Sequence, residues 1–301
     1  MKRRVPALPE VPARFPPGFL TLLHELLAAG ARLPGARIEQ QRARRAALSQ
    51  SGTFVGHRPY VRGDDLRRID WAASARTGEL FVKQLEEEER RTAVLLLDLS
   101  ASLLVGSPPR RLAALRLAAV VGGLALRHLD GLTVVAPGAG ARAITSFAGA
   151  GDLAALLQHL DTLPVADATP EAAITLLLQR GAGGRVHWIS DFATPKALEL
   201  PLAALRRRGA LVTGWLPGIA EDVQAPRRGY VRLVDPETGE VVVVAVDDAL
   251  AAELAHQLAL LGRQQDRLFA QCGCPLVRWP SPADGDFRRM LFLPILARCA
   301  Q

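Results

Sequence analysis

From about residue 92 onwards, short apolar runs alternate with longer segments in which apolar residues recur at helical spacing. The apolar runs predict strands at 94–97, 132–136, 141–147, 186–189, 210–216 and 275–279. The helical spacing predicts helices at 112–129, 153–160, 171–178, 198–208, 248–271 and 287–299. Because strands and helices alternate, we expect an α/β domain with a mostly parallel sheet and helices on both of its faces.

One segment interrupts this alternation. Two runs typical of strands, 230–234 and 240–246, flank the turn sequence Asp235-Pro236-Glu237-Thr238-Gly239. We therefore predict an inserted β-hairpin at about residues 229–246. It either covers the sheet or offers an edge to a partner.

The first 90 residues have a different pattern. A proline-rich arm at 6–17 precedes a predicted helix at 19–29, and an arginine-rich stretch follows at 37–45. Charged and aromatic residues then alternate over 51–89 without amphipathic periodicity, which indicates strands and turns held by ion pairs and hydrogen bonds. We expect residues 1–90 to form a basic N-terminal region and residues 91–301 the α/β domain.

The amino-acid composition restricts the partners and the cellular compartment that we expect for this chain. The 301 residues include 37 Lys and Arg against 30 Asp and Glu, a net charge of +7, yet only 5% are aromatic. Without aromatic residues interleaved among the basic ones, this charge argues against nucleic-acid binding and remains compatible with an acidic protein partner. The three cysteines are too few for a disulfide framework. With no signal peptide and no apolar run of membrane-spanning length, we expect a cytoplasmic chain without a transmembrane segment.

The candidate chemistry follows two of the predicted strands. Asp98, Ser100 and Ser102 come directly after the strand at 94–97, and Asp191 follows the strand at 186–189. Parallel strands place their carboxyl ends at one edge of a sheet, where α/β proteins keep their binding sites. Carboxylate and hydroxyl oxygens suit a hard divalent cation. The spacing alone fits a helix N-cap equally well, so both interpretations stay open at this point.

These residues carry a resemblance. Asp98-Leu99-Ser100-Ala101-Ser102 after a buried strand, with Asp191 after another, resembles the metal-ion-dependent adhesion site of von Willebrand factor type A domains. The resemblance implies Asp98, Ser100 and Ser102 as the first metal loop, Thr169 as the best match for the second-loop ligand, and Asp191 as the third-loop carboxylate. It also implies a divalent cation, Mg²⁺ first, with Mn²⁺ or Ca²⁺ as alternatives, and a six-stranded doubly wound sheet of order 3-2-1-4-5-6.

A longer pattern lies upstream. Its residues are Phe54, Gly56, Arg58, Tyr60, Gly63, Asp64, Asp65, Asp70, Trp71, Arg76 and Lys83. With this pattern, the chain resembles the bacterial family called domain of unknown function 58 over roughly residues 50 to 250. We favour a structural clamp or an interaction surface for this segment over an enzyme site built on its carboxylates. The resemblance implies a partnership with a MoxR-type AAA+ ATPase.

We therefore predict a non-enzymatic accessory protein that presents a divalent metal to a partner protein, acting with a MoxR-type ATPase in the maturation or metal loading of an unidentified client. The alternatives are a phosphatase-like, metal-dependent hydrolase that uses Asp98, and a metal-free scaffold. A phosphatase of this kind would need a second Asp where Ser100 stands. The chain has no Gly-x-x-x-x-Gly-Lys-Ser/Thr loop, so ATP hydrolysis would belong to the partner.

Overall fold

The computed structural model describes residues 14–30, 53–62, 64, 69–86, 92–105, 109–129, 131–166, 168–179, 184–218 and 228–280. The chain divides into two compact units, one comprising residues 32–91 and the other residues 1–31 and 92–301. The predicted closing helix at 287–299 and the arginine-rich stretch at 37–45 lie outside the described residues, as does most of the proline-rich arm.

The described helices and strands follow the predicted alternation. The helices are α1 (Pro17–Gly30), α2 (Trp71–Thr77), α3 (Arg110–His128), α4 (Leu153–Thr162), α5 (Pro170–Gln179), α6 (Pro195–Arg207) and α7 (Asp248–Gln271). The strands are β1 (Thr53–Pro59), β2 (Phe81–Glu86), β3 (Thr92–Leu97), β4 (Gly131–Val135), β5 (Ile144–Phe147), β6 (Arg185–Ile189), β7 (Leu211–Gly218), β8 (Gly229–Val234), β9 (Val241–Val246) and β10 (Leu276–Pro280).

Six strands form the central sheet, in the spatial order β5-β4-β3-β6-β7-β10. Counted by themselves along the chain, these strands read 3-2-1-4-5-6; the labels differ because β1 and β2 precede them and the hairpin strands β8 and β9 intervene. Every neighbouring pair is parallel except β4 and β5, which are antiparallel. The mostly parallel, doubly wound α/β class is therefore confirmed.

The sheet separates two apolar cores. Strand β3 alternates between them, since Leu95 and Leu97 lie in one core and Val94 and Leu96 in the other. Helices α1, α3 and α4 cover the first face, and α5, α6 and α7 cover the second. This burial on both faces explains why β3 reads as a continuous apolar run. Helix α1 belongs to the sheet unit through buried Phe19 and Leu23, although the sequence grouped it with the first 90 residues.

The unit of residues 32–91 contains an antiparallel pair of strands, β1 and β2, with helix α2 between them in sequence. The Asp70 carboxylate caps α2 by accepting hydrogen bonds from the backbone of Ala72 and Ala73. Gly78 ends the helix in the left-handed region, at φ +77. The sequence predicted only strands and turns here, because seven helical residues are too few to show a period.

The inserted hairpin is confirmed as β8 and β9, which pair with each other and with no other described strand. It leads directly into α7, whose bounds match the prediction. Helix α7 packs closely on the sheet: a Cβ at Gly214 of β7 would lie 2.3 Å from the ring of Phe269. Over the described ranges, no helix is long and apolar enough to span a bilayer.

Candidate metal centre

The predicted site residues meet at the carboxyl ends of β3 and β6, which are adjacent and parallel. The Asp98 backbone N–H donates to the Ile189 carbonyl at 2.9 Å, so the pairing of the two strands continues to the first residue of the site. After β3 the chain crosses to β4 on one side of this strand pair, and after β6 it crosses to β7 on the other side. Because the loops diverge at this point, they leave a crevice at the edge of the sheet.

The first loop is a tight turn held by its own side chains. Oδ1 of Asp98 accepts a hydrogen bond from the Ser100 backbone N–H at 2.8 Å, and the Oγ atoms of Ser100 and Ser102 lie 2.9 Å apart. A single 3-10 turn follows, at Ala101–Leu104, and its Leu103 is fully buried. Leu103, directly after Ser102, therefore anchors the loop in the core while the two hydroxyls line the crevice.

The third loop connects to the first through hydroxyl groups. Ser102 Oγ donates to Asp191 Oδ2 at 2.9 Å, and Ser190 Oγ donates to Asp98 Oδ2 at 2.7 Å. Asp191 Oδ1 in turn accepts from the Ala193 backbone N–H at 3.1 Å. Both carboxylates are thus oriented by neutral donors. Ser190 was missing from the predicted ligands, although its place at a strand end beside Asp191 was a usable signal.

Thr169, the predicted second-loop ligand, also lines the cleft. Its Oγ1 accepts a hydrogen bond from the Ala172 backbone N–H at 3.2 Å, which caps the first turn of α5. The residue is exposed, and its carbonyl accepts from Ala173 at 3.2 Å. Thr169 therefore lines the same cleft as Asp98 and Asp191, and its role as a metal ligand stays a prediction.

Helix α7 holds the third loop from behind. Gln265, only 4% exposed, donates from Nε2 to the carbonyls of Asp191 and Phe192 at 3.0 and 3.1 Å. Phe192 has a left-handed backbone, φ +50, which is unusual for a residue with a side chain. Its buried ring packs edge-on against Phe269 at 5.0 Å between centroids. Gln265 and the aromatic packing therefore keep Asp191 at the mouth of the cleft.

Helix α3 holds the segment before Thr169. The guanidinium of Arg111, 6% exposed, donates to the carbonyls of Leu163 and Pro164 at 2.8 and 2.6 Å. The Ala166 backbone N–H donates to the Leu99 carbonyl at 2.9 Å, joining this segment to the first loop. Burial lowers the pKa of Arg111, as does the positive charge of Arg14, whereas the negative charge of Asp98 acts in the opposite direction. Nothing in the sequence pattern indicated this positioning role.

The described lining of the cleft is acidic. Three carboxylates line it, from Asp98, Asp191 and Glu237, together with the hydroxyls of Ser100 and Ser102, and no Lys, Arg or His is among its described lining residues. Within the described ranges, no basic side chain lies within 4.0 Å of Asp98 or Asp191. Among the described residues, Arg111 acts on Asp98 only at longer range. Carboxylates without a cationic side chain in contact favour a cation as a ligand.

The donor set fits a hard divalent cation. Every polar side chain along the described lining offers oxygen, which Mg²⁺ and Mn²⁺ prefer, and none offers the sulfur or imidazole nitrogen typical of zinc sites. The described residues contain no group of three His, Cys, Asp or Glu close enough to bind a metal together. Hydroxyls would therefore share the ligation with Asp98 and Asp191. The cleft, about 210 Å³, is below the roughly 300–1,000 Å³ of small-molecule pockets.

The upstream motif residues lie in the other unit and are engaged with one another. Arg58 donates from both terminal nitrogens to the two carboxylate oxygens of Asp64, each at 2.6 Å, and His57 Nε2 lies 2.9 Å from Asp70 Oδ2. Arg58 holds the pKa of Asp64 at about 2, with help from the Val61 backbone N–H. Among the described residues, Asp64 therefore pairs with an arginine, as the clamp interpretation expects, and Asp70 contacts His57.

The remaining motif residues are distributed around this pair. Gly56 lies beside a register shift in β1, Phe54 and Lys83 are placed in β1 and β2 by their backbone, and Tyr60 donates its backbone N–H to Leu80. Trp71 and Arg76 belong to α2 and are exposed, Trp71 by 65%. Gly63 and Asp65 lie outside the described residues.

Known proteins resemble this chain to different degrees. The sequence profile of the family described as protein of unknown function DUF58 matches residues 56–262, more than half of the chain. Two uncharacterized proteins, from Mycobacterium tuberculosis and Mycobacterium bovis, are each 31% identical to it over 234 residues, which cover 73% of this chain and 72% of the relative.

Similar solved structures are more distant. The conserved hypothetical protein BatB from Bacteroides thetaiotaomicron is 16% identical, with a TM-score of 0.39, over 70% of this chain and 98% of its own. The manganese-loaded TRAP protein of Plasmodium vivax is 18% identical, with a TM-score of 0.33, over 43% of this chain and 58% of its own. Neither resemblance is close enough to assign a function.

Proposed function

This chain belongs to the family described as protein of unknown function DUF58, and we propose that it is an interaction protein that holds a divalent cation between Asp98 and Asp191 for an acidic group of a partner. One observation carries the proposal. Two carboxylates from adjacent central strands face one cleft, and only hydroxyl and backbone N–H groups of the described chain contact them.

The residues of the cleft have separate tasks in this proposal. Asp98 and Asp191 supply the negative charge, Ser100 and Ser102 supply neutral oxygens, and Gln265 keeps the Asp191 loop in place from behind. A bound Mg²⁺ would supply positive charge and a coordination position open to an oxygen ligand from outside. Because the first loop is already ordered by hydrogen bonds, little conformational entropy remains to be lost on binding.

Two features favour binding over catalysis. Both oxygens of Asp98 accept hydrogen bonds, and no histidine, cysteine or lysine lines the described part of the cleft to act as general base or acid. Its small volume also suits an ion and one side chain better than a substrate. The partner that we propose is a MoxR-type AAA+ ATPase, with the unidentified client as a third component, and this rests on the family resemblance of the upstream motif.

The first experiment measures the cation alone. Mn²⁺ is titrated into the full chain by calorimetry and by electron paramagnetic resonance, using wild type, Asp98→Asn and Asp161→Asn. Asp161 is a matched control, since it is an exposed carboxylate outside the cleft. We expect a loss of at least roughly a hundredfold in affinity for Asp98→Asn and no change for Asp161→Asn. Equal binding by all three proteins would contradict the proposal.

The second experiment tests what the cation is for. The purified MoxR-type ATPase of the same organism is offered to immobilised wild type and Asp98→Asn in Mg²⁺ and in chelator. Capture by wild type in Mg²⁺ alone supports the proposal, whereas equal capture under all conditions excludes a cation bridge. Phosphatase turnover that is lost in Asp98→Asn would support the hydrolase alternative instead.

A further inference from the structure

The hairpin β8–β9 brings a third carboxylate to the cleft. Glu237, in the turn of the hairpin, lines the same cleft as Asp98, Ser102 and Asp191, although it lies more than 130 residues from Asp98 in sequence. Glu240, in the same turn, is not among the lining residues. The turn therefore presents one specific acidic residue to the candidate metal centre.

The turn that carries Glu237 is held in one conformation. The Asp235 carboxylate accepts hydrogen bonds from the backbone N–H groups of Glu237 and Thr238, at 2.8 and 3.2 Å, and these bonds lower the pKa of Asp235. The Asp235 backbone N–H also donates to the Glu240 carbonyl, and the Asp235 carbonyl accepts from the Gly239 N–H, each at 2.9 Å. Gly239 adopts φ +73, which a residue with a side chain rarely adopts. The backbone of Glu237 is therefore held as part of an ordered hairpin tip.

The body of the hairpin is weakly held. Its strands pair only with each other among the described strands, and most of their side chains are exposed, Tyr230 by 86% and Val243 by 65%. At the base of the hairpin, Val246 is buried and Arg228 forms an ion pair with Asp248 at 2.5 Å. A rigid tip on a base with few contacts is suited to hinge motion.

The charges in the cleft determine whether the hairpin tip is drawn towards it. Without a cation, the carboxylates of Asp98, Asp191 and Glu237 repel one another, and they do not form a group close enough to bind a metal together. A divalent charge between Asp98 and Asp191 removes that repulsion and favours the approach of a further carboxylate. Glu237 is the described residue outside the sheet edge that can supply it.

We propose that the hairpin β8–β9 is a lid over the cation site, with Glu237 as the carboxylate that closes onto a bound cation and that the acidic group of a partner must displace. This inference rests on the proposed function. It makes partner binding a competition between two carboxylates, one carried by the chain itself. The chain would then hold its cation shielded until a better acidic ligand arrives.

Two measurements test the lid, both on the full chain with Glu237→Gln and the matched control Glu240→Gln. The first is hydrogen exchange of residues 235–240 with and without saturating Mg²⁺. We expect roughly fivefold slower exchange on Mg²⁺ addition in wild type and in Glu240→Gln, and no change in Glu237→Gln. The second is Mn²⁺ affinity, which we expect to fall roughly fivefold in Glu237→Gln alone. Equal unfolding midpoints of the two variants establish that both fold.

The outcomes separate this inference from the proposed function. If wild type binds Mn²⁺ and Asp98→Asn does not, while Mg²⁺ leaves exchange in the hairpin unchanged, the lid is wrong and the cation site stands. The lid is also wrong if Glu237→Gln and Glu240→Gln lose equal affinity, because the effect is then one of general charge. If Mn²⁺ binding is absent from wild type itself, the cation site fails and the lid fails with it.

Discussion

The two compact units stabilise their carboxylates in opposite ways. In the unit of residues 32–91, Asp64 is paired with the guanidinium of Arg58, and Asp70 contacts His57 and caps a helix. At the edge of the sheet, the carboxylates of Asp98 and Asp191 contact only hydroxyl and backbone N–H groups of the described residues. In the first arrangement a guanidinium offsets the charge of Asp64, whereas no described basic side chain lies within 4.0 Å of Asp98 or Asp191.

Under the proposed function, this difference would separate structural from functional acidic residues. Replacing a carboxylate that is paired with a cation removes a stabilising contact and leaves the cation without its partner. Replacing one of two carboxylates that share a cleft removes a ligand and relieves repulsion. Stability and cation affinity should therefore respond in opposite directions in the two units, and the following predictions test this from the largest expected effect to the smallest.

The largest effect is expected from Asp191→Asn. We expect Mn²⁺ affinity to fall roughly a hundredfold, because a charged ligand is lost, while the midpoint of urea unfolding stays unchanged or rises. The amide oxygen can still accept the hydrogen bond from Ala193. The matched variant Asp64→Asn should show the reverse, a lower midpoint with unchanged Mn²⁺ affinity. If both variants lose stability equally, the comparison between the units is wrong.

The support behind the cleft should give the next largest effect. Gln265→Leu leaves the carbonyls of Asp191 and Phe192 without their donor, which we expect to destabilise the sheet unit by about 2 kcal/mol. Mn²⁺ affinity should fall as well, since Asp191 is no longer held. Gln257→Leu on the same helix is the control, because Gln257 is exposed and bonds only to Glu253 among the described residues. Urea unfolding and Mn²⁺ titration of both variants test this, and equal losses in Gln265→Leu and Gln257→Leu would contradict the prediction.

A smaller effect is expected at the helix cap of the other unit. Asp70→Ala removes the acceptor of the Ala72 and Ala73 backbone N–H groups and the partner of His57. We expect a loss of about 1 kcal/mol, measured by hydrogen exchange within residues 69–86. Asp70→Asn keeps a capping oxygen and should recover much of this stability. Mn²⁺ affinity should not change in either variant, and a change in it would show that the two regions act together.

The smallest effect is a pH dependence of the Arg58–Asp64 pair. The pKa of Asp64 is lowered from 3.8 to about 2, chiefly by the hydrogen bonds from Arg58. Because the folded pKa is depressed, the pair stabilises the unit fully above about pH 3.8, and this contribution is lost as the pH falls towards 2. The unfolding midpoints of wild type and Asp64→Asn should therefore differ at pH 6 and converge near pH 2. A constant difference would mean that the pair is not the cause.

The fold was predictable from the sequence wherever burial leaves a pattern in consecutive residues, such as an apolar run or a helical period. Strand β3 is an unbroken apolar run because both of its faces are covered, and the period of α7 is visible over all of its turns. The short helix α2 was missed, because its seven residues show no period and depend on the Asp70 cap. Helix α1 was visible as a helix, but its attachment to the sheet unit was not, since an apolar face does not specify its partner.

The candidate site was predictable in part for the same reason. Asp98, Ser100, Ser102 and Asp191 each follow a strand that the sequence reveals, and parallel pairing brings strand ends to one edge of the sheet. Ser190 could have been added from its place beside Asp191. The structure brings Thr169 to the same cleft and leaves its role as a ligand a prediction.

The sequence by itself determined the sheet, the hairpin and the oxygen-bearing residues at the strand ends, because each depends on a few consecutive residues. Only the tertiary structure decided what surrounds those residues. Gln265 reaches the Asp191 loop from 74 residues away, Arg111 reaches Pro164 from 53 residues away, and Glu237 reaches the cleft from the tip of the hairpin. Such contacts depend on how helices and the hairpin pack on the sheet, and residues so far apart leave no periodic signal along the chain.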